Sequence, residues 1–181
     1  LLYISGYLNE EQIENHLFDS TFSNLEEQLI FIAEKKPQVL AIYTNLMTKI
    51  NVIKLIKIMI TEPKYGFPKI VLGGPDVTYN LENYLKAGAQ FLVIGEGEQT
   101  ITELYRAFIQ NSAVSEISGI AYLENDTVKK TSPREKIKDL NKLPLPNRAG
   151  INIEKYLQVW KENHGKSSMT ISTQRGCPYT C

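Results

Sequence analysis

The chain has 181 residues, 43% of them hydrophobic, which fits one core-forming domain with a linker and excludes a disordered polymer. Lys plus Arg and Asp plus Glu both number 20, so the net charge is zero and no nucleic-acid partner is expected. No apolar run approaches the roughly 20 residues of a membrane span, and nothing resembles a signal peptide, so a cytoplasmic protein without a membrane partner is expected. Leu1 to Leu8 repeats apolar residues at three and four spacing, as a helix face does. It carries no N-cap, and the first residue is not Met, so a preceding strand is expected to be missing from this sequence. His16-Leu17-Phe18-Asp19 reads as a short strand. Ser23 with Glu26 reads as a capping box that opens a helix from about Asn24 to Lys35, with Leu25, Leu29, Ile32 and Ala33 facing inward and Pro37 closing it.

Val39 to Tyr43 is a compact apolar strand that runs into Thr44-Asn45-Leu46. Val52, Leu55, Ile56, Met59 and Ile60 mark one face of an amphipathic helix. Lys69 to Leu72 is the next strand and runs into Gly73-Gly74-Pro75-Asp76. Leu81 to Ala87 is a short helix with Gly88 as its left-handed cap. Phe91 to Ile94 is a third buried strand, ending in Gly95-Glu96-Gly97-Glu98. Thr100 with Glu103 reads as a second capping box, with Ile101, Leu104, Tyr105 and Phe108 buried on the helix that follows. Short apolar runs alternating with amphipathic helices predict a parallel sheet with helices on both faces, here a flavodoxin-like, doubly wound α/β domain over residues 1–112.

Residues 113–166 change in character. Gly119–Leu123 and Thr127–Thr131 flank the polar turn Glu124-Asn125-Asp126 and predict a β-hairpin. Leu140–Asn147, with Pro144 and Pro146, predicts an extended linker. Ile153–Trp160 reads as a short helix or lid-like segment, and Ser168–Ser172 as the first strand of a further domain over 167–181.

In an open α/β sheet, ligands sit outside the carboxyl ends of the strands. Three loops share that edge: Thr44-Asn45-Leu46, Gly73 to Thr78, and Gly95 to Thr100. Gly73-Gly74 and Gly95 with Gly97 let backbone approach a bulky ligand. Glu96 and Glu98 either favour the positive end of the following helix or face a second domain. Gly95-Glu96-Gly97 is followed by Thr100 where a phosphate-cradling G-x-G-x-x-G would have glycine, which argues against a dinucleotide. Both cysteines, Cys177 and Cys181, lie four apart in Thr173-Gln174-Arg175-Gly176-Cys177-Pro178-Tyr179-Thr180-Cys181. Thiolates are the usual iron–sulfur ligands, and sparse Cys argues against a disulfide framework. His16 and His164 have no clustered ligands around them and read as ordinary side chains.

The T-x-R-G-C-P-Y-x-C stretch resembles the start of the radical S-adenosylmethionine (radical-SAM) signature C-x3-C-x2-C. The order T-N-L, G-G-P-D, G-E-G-E-x-T and L-P-x-P before it resembles cobalamin-binding radical-SAM proteins along essentially the whole chain. That resemblance implies cobalamin held by Thr44, Asn45, Leu46, Gly73, Gly74, Pro75, Asp76, Thr78, Gly95, Glu96, Gly97, Glu98 and Thr100, the first two loops cradling its nucleotide tail. It implies Cys177 and Cys181 as ligands of a [4Fe-4S] cluster that binds S-adenosylmethionine, in a C-terminal radical-SAM domain of the same protein. It further implies a methyltransferase that uses methylcobalamin on a small-molecule or peptide substrate, with this fragment inactive alone. A carrier or sensor module, or a cyclase or rearrangement enzyme whose N-terminal domain is a scaffold, stands as the alternative. A flavodoxin-like domain that binds another nucleotide or none is a third.

Overall fold

The computed structural model describes residues 1–171, 174 and 175. The chain forms two compact units, Leu1–Asn147 and a second that begins at Arg148. In the first, α1 (Leu2–Glu10) leads through a 3-10 turn at Ser20–Phe22 to α2 (Leu25–Lys35), then β1 (Val39–Tyr43), α3 (Lys49–Thr61), β2 (Lys69–Gly73), α4 (Leu81–Lys86), β3 (Phe91–Val93), α5 (Glu98–Gln110), β4 (Ile120–Glu124) and β5 (Thr127–Lys130). The second unit holds α6 (Ile153–His164), capped by the Asn152 side chain on Lys155 N–H and closed at Gly165 in the left-handed region.

One sheet runs in the order β1-β2-β3-β4-β5. β1, β2 and β3 are parallel, with Val39 opposite Lys69 and Val71 opposite Phe91, while β4 and β5 add antiparallel. The hairpin therefore extends the sheet of the first unit. Its two-residue turn places Asn125 and Asp126 both at positive φ, +50° and +58°, as a type I′ turn requires. Alternation along the strands divides the interior in two. Ile70 and Leu72 of β2 join Leu92, Ile32 of α2, Leu55, Ile56 and Met59 of α3, and Tyr84 and Leu85 of α4. Val71 and Val93 face the other way, onto Ile101, Leu104 and Ala107 of α5 with Ile4 and Leu8 of α1 packed against them. Helices thus cover both faces, and each buried Leu or Ile contributes roughly 1.5–3 kcal/mol.

Several sequence expectations shift. Residues 16–19 form no strand. A strand needs a ladder partner, and here Phe18 instead packs on Phe31 of α2, ring centroids 5.1 Å apart. This segment borders a groove of about 580 Å³ beside the outer edge of β1. The box that opens α2 is one residue later than Ser23 and Glu26: Asn24 Oδ1 accepts from Glu27 N–H at 3.0 Å, and Glu27 Oε2 accepts from Asn24 N–H at 3.0 Å. Leu25 and Ile60, expected inward, are exposed. α4 ends as expected: Gly88 N–H donates to Leu85 O and Ala89 N–H to Tyr84 O, a Schellman motif with Gly88 at positive φ. In the second unit, residues 168–171 form no strand, and Ser172 lies outside the described residues.

The linker is fastened to the first unit. After a 3-10 turn at Leu140–Lys142, Asn147 N–H donates to Leu2 O and its side chain to Ser5 Oγ, both at 2.9 Å. Ser5 Oγ in turn donates to Asn15 Oδ1 at 2.5 Å. Gly6 has no room for a side chain, because a Cβ there would collide with the Leu145 carbonyl oxygen.

Candidate cofactor-binding site

The loops after β1 and β2 are built against each other. Thr44 N–H donates to Gly73 O at 2.8 Å, extending the ladder by one bond. Thr44 is fully buried, its Oγ1 3.0 Å from the Tyr84 hydroxyl. Asn45 turns its side chain on its own loop, where Oδ1 accepts from Met47 N–H and Thr48 N–H at 3.0 Å each. That turn presents Leu46 and Met47 outward, 77% and 87% exposed, followed by Ile50 at 68%. Gly74 sits at φ +113°, where a Cβ would strike the Thr44 carbonyl oxygen. Pro75–Thr78 is a 3-10 turn that exposes Pro75, Thr78 and Tyr79.

Asp76, which as a lone acid in the sequence supports no catalytic role, is the hub of a buried network. Its Oδ2 accepts from the Tyr84 hydroxyl at 2.6 Å and from Asn80 Nδ2 at 3.2 Å, and lies 3.6 Å from Lys49 Nζ. The Lys49 ammonium also stands 5.7 Å from the centre of the Tyr84 ring. Burial first, and then the hydrogen bond to Asp76, push the Tyr84 phenol up to about 12. The folded protein therefore keeps this proton between about pH 10 and 12, where the unfolded chain loses it. Stability from this group is fully present below about pH 10 and is lost as pH rises through about 12, amounting to roughly 2–3 kcal/mol. Denaturant midpoints measured from pH 9 to 12 should fall more steeply for the unmodified protein than for Tyr84→Phe. Parallel curves would refute the assignment.

The loop after β3 is fastened elsewhere. Gly95 is exposed at φ +90°, and a Cβ there would meet no atom within 4 Å. Gly97 is the N-cap of α5, and a Cβ on it would lie 3.0 Å from Ile4 of α1. Glu96 Oε2 accepts from Ile137 N–H at 2.8 Å. Glu98 is buried within the first turn of α5. Thr100 and Glu103 do not form a capping box, because α5 starts two residues before Thr100. Thr100 is fully buried and donates to Glu96 O at 3.3 Å, while Glu103 pairs with Arg134. Arg134 also donates to Gln99 Oε1 at 3.2 Å and to Ser118 O at 3.3 Å, strapping residues 131–138 over the start of α5. Arg134→Ala should cost about 2 kcal/mol in urea unfolding, since it removes three hydrogen bonds whose ionic partner is half-exposed. Arg134→Lys should restore little of it, because a point charge cannot serve three separate acceptors. A cost near zero for the alanine variant would show that the strap is held without it.

The structure thus joins Thr44, Asn45, Gly73, Gly74 and Asp76 into one constructed edge, with Leu46, Pro75 and Thr78 on its surface. Gly95 stands exposed on the next loop. Sequence reasoning missed Lys49, Tyr84 and Asn80, and also Met47, Ile50 and Tyr79 as exposed apolar side chains. Asp76 lies in a 3-10 turn, Asn80 at the N-cap of α4 and Tyr84 within α4, so no single helical spacing announces the network. Cys177 and Cys181 lie outside the described residues. Among the described residues, no three His, Cys, Asp or Glu side chains gather as a metal site. His16 pairs with Glu14 at 3.4 Å, and His164 packs on Trp160 with the rings tilted by 37° and their centroids 4.2 Å apart. No described helix is long and apolar enough to cross a membrane.

The family model for the B12 binding domain matches residues 1–105, more than half of the chain. The chain belongs to the B12-binding domain family. Among solved structures, this B12-binding domain is similar to the cobalamin-dependent S-adenosylmethionine radical enzyme OxsB with aqua-cobalamin bound, at TM-score 0.73 and 18% identity over 80% of this chain and 21% of that one. It is also similar to the radical S-adenosylmethionine methyltransferase TsrM from Kitasatospora setae, with cobalamin and a [4Fe-4S] cluster bound, at TM-score 0.62 and 16% identity over 81% and 28%. These likenesses establish the fold, a Rossmann-like α/β domain. Its sequence is 27% identical to the uncharacterized methyltransferase PH0819 of Pyrococcus horikoshii, across all of this chain and 39% of that protein. It is 28% identical to the anaerobic magnesium-protoporphyrin IX monomethyl ester cyclase of Synechocystis sp., across all of this chain and 36% of that protein. The B12-binding domain chain therefore spans under two fifths of the length of these relatives.

The edge fits a cobalamin. Open space faces Gly95, only Val93 Cβ comes within 4 Å of a Cβ on Gly73, and the exposed apolar side chains Leu46, Met47, Ile50 and Tyr79 offer a surface to a large macrocycle.

Proposed function

We propose that this chain is the cobalamin-binding part of a cytoplasmic, cobalamin-dependent radical-SAM enzyme, and that the complete protein is a methyltransferase using S-adenosylmethionine and a [4Fe-4S] cluster. The observation that carries this reading is one conjunction: a B12-binding domain over residues 1–105 followed in the same chain by R-G-C-P-Y-x-C at Arg175–Cys181. When bound, cobalamin supplies a cobalt centre suited to carrying a methyl group. The chain's own residues position it. Gly73, Gly74 and Gly95 keep backbone low beneath it, Leu46, Met47 and Ile50 exclude water along one side, and Thr44 with Asp76 holds the loops from below. Cys177 and Cys181 supply two of the thiolates that a cluster needs. On this reading the chain alone is not catalytically competent, and its direct partner is the radical-SAM domain of the same protein.

The test is anaerobic reconstitution of the complete protein with iron, sulfide and hydroxocobalamin, followed by absorption spectroscopy. Bound cobalamin together with a [4Fe-4S] spectrum supports the reading. A cluster without cobalamin reduces the N-terminal unit to a scaffold, and the absence of both sinks it. One observation favours a second reading. The similarity to the Synechocystis cyclase, over all of this chain, points to ring-forming radical chemistry in place of methyl transfer. Product mass separates the two, since a methyl transfer adds one CH₂ to the substrate and cyclisation does not.

A further inference from the structure

We propose that Tyr84 is a positioning residue for the cofactor: its buried hydroxyl fixes the separation of the loops after β1 and β2 that receive the nucleotide tail of a cobalamin. This rests on the cobalamin reading and adds to it a residue outside the three edge loops. The paired register of β1 and β2 ends at Tyr43 opposite Gly73, and one further bond, Thr44 N–H to Gly73 O, closes the ladder. Beyond that point, backbone pairing no longer sets the distance between the chains. The Tyr84 hydroxyl bridges the two loops there, reaching Thr44 on one at 3.0 Å and Asp76 on the other at 2.6 Å.

Tyr84 itself is fully buried, so it touches no ligand and acts only through the loops it joins. A phenylalanine would fill the same core volume without burying a hydroxyl, so packing alone does not call for tyrosine at this place. Asn80 and Lys49 hold Asp76 from two further directions, which fixes the acceptor on its loop. Gly74 lies against Thr44 from above, where no side chain fits, so the two loops meet with no slack. A shift in the Tyr84 hydroxyl therefore changes the gap between them directly.

The test compares two ligands that differ in the tail. Hydroxocobalamin carries the nucleotide, and dicyanocobinamide lacks it. In the complete protein, Tyr84→Phe should weaken hydroxocobalamin binding about tenfold and leave dicyanocobinamide within about twofold. Thr44→Val should give the same selective loss, and the double variant Thr44→Val/Tyr84→Phe no more than either single one, because all three break the same bridge. The double variant also leaves neither hydroxyl buried without a partner, which protects the experiment against a variant that fails to fold. Equal losses for both ligands would reduce Tyr84 to a general packing residue and overturn the proposal. So would unchanged hydroxocobalamin binding. Failure of the unmodified complete protein to bind either ligand overturns the cobalamin reading, and this assignment with it, and is distinguished by its appearance before any substitution.

Discussion

Gly74→Ala is expected to lower stability by roughly 2–4 kcal/mol and to abolish measurable cofactor binding. Two independent costs fall on one methyl group. The backbone at Gly74 has φ +113° and ψ 172°, a region that only glycine adopts freely. The added Cβ also strikes the Thr44 carbonyl oxygen and lies 3.1 Å from Thr44 N. Both obstacles are backbone atoms, so no side-chain rotation relieves them. The loop must move away from β1, and the edge formed by Thr44, Gly73 and Gly74 opens. Gly95→Ala is the matched control. It carries the cost of positive φ, but a Cβ there meets nothing within 4 Å, so it should lose about 1 kcal/mol and no neighbouring structure. Urea unfolding of both variants decides the structural part, and cobalamin titration of Gly74→Ala the loss of binding. Equal losses of stability at the two positions would show that the Thr44 contact is irrelevant.

Asp76→Ala should cost about 3–4 kcal/mol, more than Tyr84→Phe, because it strands three donors at once. The Lys49 ammonium, with its side chain 24% exposed, loses its counter-ion, and the Tyr84 hydroxyl and Asn80 amide lose their acceptor. Removing one member of a buried polar cluster is worse than removing several together. The double variant Asp76→Ala/Lys49→Met should therefore recover 1 kcal/mol or so of the loss. Asp76→Asn keeps an acceptor for Tyr84 and should lose only about half as much. Thermal unfolding of these variants, of Lys49→Met alone and of the unmodified protein provides the check. Additive losses in the double variant would rule out coupling between Lys49 and Asp76.

β1, β2 and β3 were legible because each is a short apolar run with Gly or Pro close by, and α3 because Val52, Leu55, Ile56 and Met59 repeat on one face. The candidate site was placed by topology alone, since the carboxyl edge of a parallel sheet collects its loops wherever the strands are placed correctly. Four kinds of information were missing. Ser23-Asn24-Leu25-Glu26-Glu27 contains two overlapping boxes, and the helix that docks Ile32 in the core uses the second. Thr100 and Glu103 have the spacing of a box. Yet Gly97 starts α5 earlier, and both side chains are engaged elsewhere, Glu103 by an arginine 31 residues away. The network at Asp76 draws on Lys49 from a different helix, a meeting that no local pattern encodes. Residues 16–19 have strand composition, but composition does not supply a neighbour, and Phe18 packs on a helix instead.

The fastening of Asn147 to α1 bears on how the domain is made. Ser5 and Asn147 are 142 residues apart, and α1 buries Ser5 and Gly6 partly beneath this late segment. At ribosomal rates of about 5–20 residues per second, α1 waits on the order of ten seconds for its cover. Contacts so distant in sequence form late and slow the final closure. Until then the helix can dock on α5 through Ile4 and Leu8, but the face bearing Gly6 stays open to the solvent and to chaperones. The L-P-L-P segment is thus the last stitch of the unit that precedes it. A nascent chain stalled short of Leu145 would carry a nearly complete sheet and an unfinished first helix.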